Sequence, residues 1–273
     1  MISDHVLTIQ HKLQQLLNEG IGQAALRRHD VVCSLTVRLP AFDSVQVFSR
    51  GRKLADTCMF WSSPDGSLQM VGVDSALSVA VNGGGRWQQV SRQWEELRAT
   101  ICRETPKQVP GTGVVLMGGF SFDPHKRVSS GIWREFPDAL LVLPKFLFTL
   151  FQGEHWMTIN VVVNRTDDSA EIMNRVIKIQ MAFLNDEGRG EEPSFPVKHF
   201  TIDEMGPDRW KRLVSQATEE IRGSRLEKVV LARQIHIQAQ ETFSISNALR
   251  VFRQTQKGCF HFAVSREIGR AHV

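Results

Sequence analysis

Apolar and polar positions alternate along this chain with two different periods, and the periods divide it into strands and helices. Residues 31–39 (VVCSLTVRL) put Val31, Cys33, Leu35, Val37 and Leu39 on one side and Ser34, Thr36 and Arg38 on the other. That predicts a strand with one wet face. Residues 58–61 and 68–73 predict two more strands, joined by the turn sequence Ser63-Pro64-Asp65-Gly66. Residues 113–122 read as a buried strand interrupted by Gly118 and Gly119, where a bulge or close backbone approach is expected. Residues 140–143, 146–151 and 156–163 follow as closely spaced strands, the last pair turning at Gln152-Gly153-Glu154. Spacing this short suits antiparallel neighbours, because a parallel pair needs a long crossover.

The helical period appears in five places. Val6, Ile9, Leu13, Leu16 and Leu17 form a stripe that Ser3 or Asp4 can cap and Gly20 can stop. Residues 86–104 predict a helix ending before Pro106. Thr166 or Asp167 can cap a helix bearing Ile172, Val176, Ile179 and Phe183. Pro207 opens one with Trp210, Leu213, Val214, Ala217 and Ile221 inward, closed by Gly223-Ser224. Residues 244–256 form a short helix before Gly258. A final strand is expected at 259–265, and the longest alternation of all lies at 226–240 (LEKVVLARQIHIQAQ). Runs of strands with helices set outside predict an α+β fold of packed, largely antiparallel sheets. The charged, glycine-bearing, proline-flanked stretch 185–196 divides an N-terminal subdomain, 1–190, from a second beginning at 197 and running to 273.

Composition narrows the function. Of the 273 residues 42% are hydrophobic and 23% charged, which is ordinary for a water-soluble globular chain. The net charge of +4 is scattered, with no run of five like charges, so no nucleic-acid partner is expected. The most apolar stretch, 139–151, is broken by Pro144 and Lys145 and is too short to span a bilayer. No secretory signal opens the chain, and Cys33, Cys58, Cys102 and Cys259 have no metal-ligand spacing. They read as reduced core thiols in a cytoplasmic, monomeric protein.

The alternating stretch 226–240 carries one residue out of keeping with a half-buried strand. Val229, Leu231, Arg233, Ile235, Ile237 and Ala239 share a side; Lys228, Val230, Ala232, Gln234, His236 and Gln238 share the other. A lysine amine lodged beside valine and alanine loses water, and desolvation favours its neutral form. By itself this is also the pattern of a lysine snorkelling from a strand edge. His236 and His261 read as lone, hydrogen-bonded or exposed histidines, Glu227 faces away from Lys228, and Asp123 reads as a turn residue.

Two passages go further. GGFSFDPHKRVSSGIWREFPDALLVLPKFLF (118–148) resembles the middle of the chorismate-utilising enzymes, and EKVVLARQ (227–234) resembles the strand that opens their catalytic half. Taken in this order they are similar to isochorismate synthases of the menaquinone type, over nearly all of the chain to about Ser265. The resemblance implies that chorismate is the substrate, that Mg²⁺ holds its ring carboxylate, and that a base activates the attacking water while an acid protonates the departing hydroxyl. The base of the family's motif falls on Lys228. A free lysine, near ~10.4, is a poor base at pH 7, so burial is the environment this role requires. Anthranilate synthases carry glutamine at the corresponding place, which tilts the reading toward isochorismate or salicylate synthases.

The family's acid, in a Pro-Glu motif, and its Mg²⁺-binding glutamates belong to later segments that this sequence does not contain. The expectation is a C-terminally incomplete chain, inactive alone, with the strands at 226–240 and 259–265 unpaired and residues 197–273 poorly soluble. A non-catalytic remnant that binds a partner is the reading from a different class.

Overall fold

The computed structural model describes residues 2–105, 108–123, 136–184, 199–204, 206–224, 226–233, 235–240 and 243–266. The elements run α1 (Ile2–Arg27), β1 (Val31–Arg38), α2 (Ser44–Leu54), β2 (Thr57–Ser62), β3 (Leu68–Val81), α3 (Arg86–Arg98), β4 (Ile101–Glu104), β5 (Met117–Phe120), β6 (Ala139–Phe151), β7 (Glu154–Val163), α4 (Ser169–Leu184), β8 (Phe200–Glu204), α5 (Pro207–Arg222), β9 (Ile235–Ala239), α6 (Ile245–Thr255) and β10 (His261–Arg266). The fold is α+β. Two compact units are present: Met1–Glu192 with Leu249–Val273, and Pro193–Ala248. The expected linker at 185–196 lies outside the described residues.

The larger unit is an eight-stranded sheet in the order β10-β2-β3-β6-β7-β1-β4, with β5 also paired to β6. Among the pairings within this sheet only β1 with β4 is parallel. Strand β6 organises it. Its whole length pairs with β3 on one edge, while on the other it pairs first with β5 (Ala139–Val142) and then with β7 (from Phe146). Pro144 sits at that change of partner. Proline cannot donate to a ladder and is normally excluded from central strands; here the ladder is interrupted on both sides. The register with β3 shifts between Ser75 and Leu77, next to Asp74 at φ 59°. Asn160 Nδ2 donates to the Pro144 carbonyl at 2.9 Å, and Lys145 Nζ meets Asp74 Oδ2 at 2.5 Å. Residues 140–151 are thus one strand with a managed interruption, where the proline suggested two.

Both faces of the sheet are covered near β1, which corrects the expected wet side. Val31, Cys33, Leu35 and Val37 pack with Ile159, Val163, Phe146 and Phe148 beneath residues of α1, α2 and α4, including Leu13, Leu17, Phe48 and Val176. On the reverse, Ser34 and Thr36 are also buried. Thr36 and Thr158 share a hydrogen bond of 2.9 Å, and Thr158 accepts from the Gly113 amide at 3.0 Å. The segment before β5 therefore lies over this face. It supplies Val114 and Leu116 to a cluster with Val32, Leu143 and Leu97 of α3.

Other boundaries moved for identifiable reasons. Gly20 does not end α1, because it is the point of closest helix–strand approach: a Cβ there would collide with Cys33 Sγ and lie 3.1 Å from Val163 Cγ2. Helix α2 has no counterpart in the sequence-based assignment, although Asp43 caps it by accepting from the Val45 and Gln46 amides at 2.7 and 2.9 Å. Residues 101–104 leave the expected helix to form β4, since pairing with Val32–Leu35 offers them a ladder. The cap of α4 is Asp168, which accepts from the Ala170 amide at 2.7 Å, rather than Thr166 or Asp167. Gly118 behaves as expected: a Cβ would collide with the Leu140 carbonyl.

Cys33, Cys58 and Cys102 are buried free thiols, and burial pushes the first two up to about 12 and the third to about 11. Cys259 is exposed, so the expectation of four core thiols is corrected by one. The strand at 259–265, expected to be unpaired, is β10, laddered antiparallel to β2 at the sheet edge. Its outward face stays apolar: Phe262 is 73% exposed, and Phe260 packs obliquely on Trp61 at 5.4 Å. Among the described residues no helix is long and apolar enough to cross a membrane.

Two outcomes follow from this packing. Gly20→Ala gains about 1 kcal/mol of helix propensity but overpacks the α1–β1 contact, which costs about 1–3 kcal/mol. Urea unfolding should show net destabilisation, and the sign should reverse when Cys33→Ala removes the obstructing sulfur. Burial lowers the His155 imidazole below its ordinary 6.5, and its Nδ1 accepts from the Phe42 amide at 3.3 Å. The unfolded chain then binds the proton more readily, so this stabilisation is complete above about pH 6.5 and is lost as pH falls through the lower folded value. The wild-type melting temperature should drop more steeply below pH 6.5 than that of His155→Gln.

Candidate functional site

The smaller unit holds the motif with the lysine. Strands β8 and β9, with α5 between them in the chain, form a two-stranded antiparallel sheet, with Ile202 opposite Ile237 and Glu204 opposite Ile235. The ladder stops there. Residues 226–233 are not a strand, which corrects the expectation for 226–240: among the described residues of that stretch only Ile235–Ala239 is laddered. Of the two strands expected to be unpaired, this one does find a partner, β8, but a short one. Five residues of β8 can pair with only five of β9.

Lys228 stands on the segment before β9, next to a bend at Glu227, and is exposed, as are Glu227, Val230 and Ala232. The half-buried environment that would strip water from its amine is absent from the described residues of this unit. The apolar side of α5 tells the same story. Leu213, Val214 and Ile221 were expected inward, yet all are exposed, and α5 has no buried residue. One helix and a two-stranded sheet have too little area to bury an amphipathic face.

Val229 is 38% exposed and Leu231 half-buried, whereas Val230 is 81% exposed. Arg233 is exposed but has partners. Its guanidinium meets Glu204 Oε2 at 3.2 Å and lies over the Trp210 ring at 5.6 Å. His236 is exposed opposite Asp203, and His261 Nε2 lies 3.1 Å from the Phe252 carbonyl. Neither is placed as a ligand or base.

No group of three or more His, Cys, Asp or Glu side chains that could hold a metal occurs among the described residues. The carboxylates nearest to such a role are otherwise engaged: Asp74 by Lys145, Glu204 by Arg233, and Asp138 by the Gly83 amide and the Ser121 hydroxyl. The described residues therefore do not fit the Mg²⁺ that the resemblance implies. A cavity of about 270 Å³ beside the β6–β7 turn has one titratable lining residue, Glu154, which pairs with Arg38 at 3.4 Å. The chemistry that can be assigned is a single accessible amine on a segment with one apolar side. Arg233, Glu204 and Trp210 were not singled out from the sequence. Only the i, i+2 relation of Arg233 to Leu231 hinted that it would turn inward.

Comparison with known proteins places this geometry. The chain is 25% identical over 268 residues to isochorismate synthase MenF of Bacillus subtilis strain 168, covering 96% of this chain and 56% of that protein. It is 27% identical over 225 residues to the salicylate biosynthesis isochorismate synthase of Pseudomonas aeruginosa PAO1, covering 82% of this chain and 45% of that one. The solved structure of MenF, the menaquinone-specific isochorismate synthase from Escherichia coli, superposes with a TM-score of 0.57 at 16% identity, over 92% of this chain and 53% of that chain. It establishes the shared fold. The chain thus spans about half the length of the relatives it matches. Residues 15–272 match the family described as chorismate binding enzyme, and the chain belongs to that family.

Proposed function

We propose that this chain contributes to isochorismate-synthase chemistry, with chorismate as substrate and Lys228 as the base that activates water. The observation that carries the reading is a lysine at position 228 within EKVVLARQ, in a chain aligned over 96% of its length with an isochorismate synthase. Nucleophilic water adds to the ring carbon beside the one bearing the carboxylate, the double bonds shift, and the hydroxyl across the ring departs. Lys228 in its neutral form takes the proton from the attacking water. That step requires a desolvated amine, and the exposed setting of Lys228 means that the Val230–Ala232 side must be covered before the step can occur.

No described residue is assigned as the acid or as a Mg²⁺ ligand, and on this reading the 273-residue chain gives no turnover by itself. A role in menaquinone or salicylate formation follows from the names of the relatives. The exposure of Lys228 favours one second reading, a chain that binds without catalysing.

Purified 273-residue protein incubated with chorismate and Mg²⁺ should form no isochorismate; a rate near that of a full-length relative would overturn the claim of inactivity. Appending the portion of the Bacillus subtilis relative that lies beyond the matched region should give an active chimera. In it Lys228→Ala should lower kcat by about 10²–10⁴, the usual contribution of a general base. A chimera whose rate ignores this substitution would remove Lys228 from the mechanism. Pyruvate release from chorismate would redirect the assignment to salicylate synthesis.

A further inference from the structure

We propose that Ser34 and Asn160 form a binding site for one internal water, and that this water steadies the side chain serving the interruption of β6. The two residues are direct partners in the antiparallel β1–β7 ladder, so their side chains rise from the same face of the sheet. Both are enclosed, Ser34 at 1% exposure and Asn160 at 0%. Ser34 Oγ and Asn160 Oδ1 are both buried without a hydrogen-bond partner among the described residues. Buried polar atoms are almost always bonded, to protein or to ordered water. Two orphans on facing positions therefore point to a shared partner.

The ladder shows why the two do not bond each other. At the next pair on this face, Thr36 and Thr158 close directly, hydroxyl to hydroxyl, at 2.9 Å. Asn160 is drawn the other way: its Nδ2 donates to the Pro144 carbonyl of β6 at 2.9 Å, and β6 and β1 lie on opposite sides of β7. Cross-strand partners have Cβ atoms about 4.5–5.5 Å apart. A water making two bonds of about 2.8 Å spans up to about 5.5 Å. The surroundings close the site. On one side stands the apolar pair Val32 and Val162, clustered with Val114, Leu116 and Leu143; on the other stands the Thr36–Thr158 pair. The guest must offer both an acceptor and a donor, and water does, accepting from the Ser34 hydroxyl and donating to Asn160 Oδ1. Two neutral oxygens are too few for a divalent cation. With Oδ1 bonded, the Asn160 amide is held at both ends, and its Nδ2 stays aimed at Pro144.

Urea unfolding of the full 273-residue chain tests the proposal by the sign of one substitution. If the Ser34 hydroxyl were bonded to nothing, Ser34→Ala would delete an unmet polar group and raise the unfolding midpoint. If the hydroxyl holds a water shared with Asn160, the same change leaves that water and Asn160 Oδ1 short of a partner, and the midpoint falls. The midpoint should fall. A crystal structure of the wild-type chain supplies the second reading: one water should lie within about 2.7–3.0 Å of both Ser34 Oγ and Asn160 Oδ1. An unchanged or raised midpoint in Ser34→Ala would overturn the proposal. So would a crystal structure in which the two oxygens bond each other or share no water. Neither reading depends on turnover or on the role of Lys228.

Discussion

Strand β6 has to satisfy its backbone on two edges while carrying a proline at its centre, and the larger unit is arranged around that requirement. A buried strand cannot leave amides and carbonyls unpaired without a cost of about 1–3 kcal/mol each. The chain meets the demand by placing Pro144 where one neighbour, β5, ends and another, β7, begins. Opposite it, β3 makes its register shift beside Asp74, whose positive φ suits an aspartate better than a branched residue. The Asn160 amide and the Asp74–Lys145 pair then occupy the polar positions that the ladder leaves open.

From that strand outward, burial spreads on two faces. The helices α1, α2 and α4 cover one. The segment before β5 and α3 cover the other, which is why Ser34 and Thr36 are enclosed; Thr36 pairs with the Thr158 hydroxyl, whereas the Ser34 hydroxyl is buried with no hydrogen-bond partner among the described residues. At the β10 edge the second face runs out of cover, and Phe260, Phe262 and Val264 remain exposed. The smaller unit shows the same deficit more severely, since the apolar sides of α5 and of the β8–β9 sheet have nothing of adequate area in their own unit to pack against. An enzyme of this family that works through a lysine base requires a dry amine. The reading given to Lys228 therefore depends on surfaces closing over residues that stand exposed in this structure.

The motifs were legible because their chemistry is local. Gly118 announces a close backbone approach, Gln152-Gly153 a tight turn, and Lys228 an oddity on an alternating segment. Helix α2 was missed although Asp43 caps it, because its apolar stripe is short and interrupted by Arg50, Arg52 and Lys53. Arg233, Glu204 and Trp210 could not be grouped from spacing, because they come from a loop segment, a strand and a helix and meet only when the β8–β9 sheet and α5 have formed.

Sequence alone determined the α+β class, the antiparallel run from β6 to β7, the family motifs and the candidacy of Lys228. Each depends on periodicity or on residue types close together in the chain. Tertiary structure decided the rest. It turned 101–104 from helix into strand by offering a ladder, kept α1 going through Gly20 by pressing it onto Cys33, and enclosed the polar side of β1. It also left Lys228 exposed, because alternation shows which residues share a side of a segment, and only the surrounding chain shows whether that side is covered.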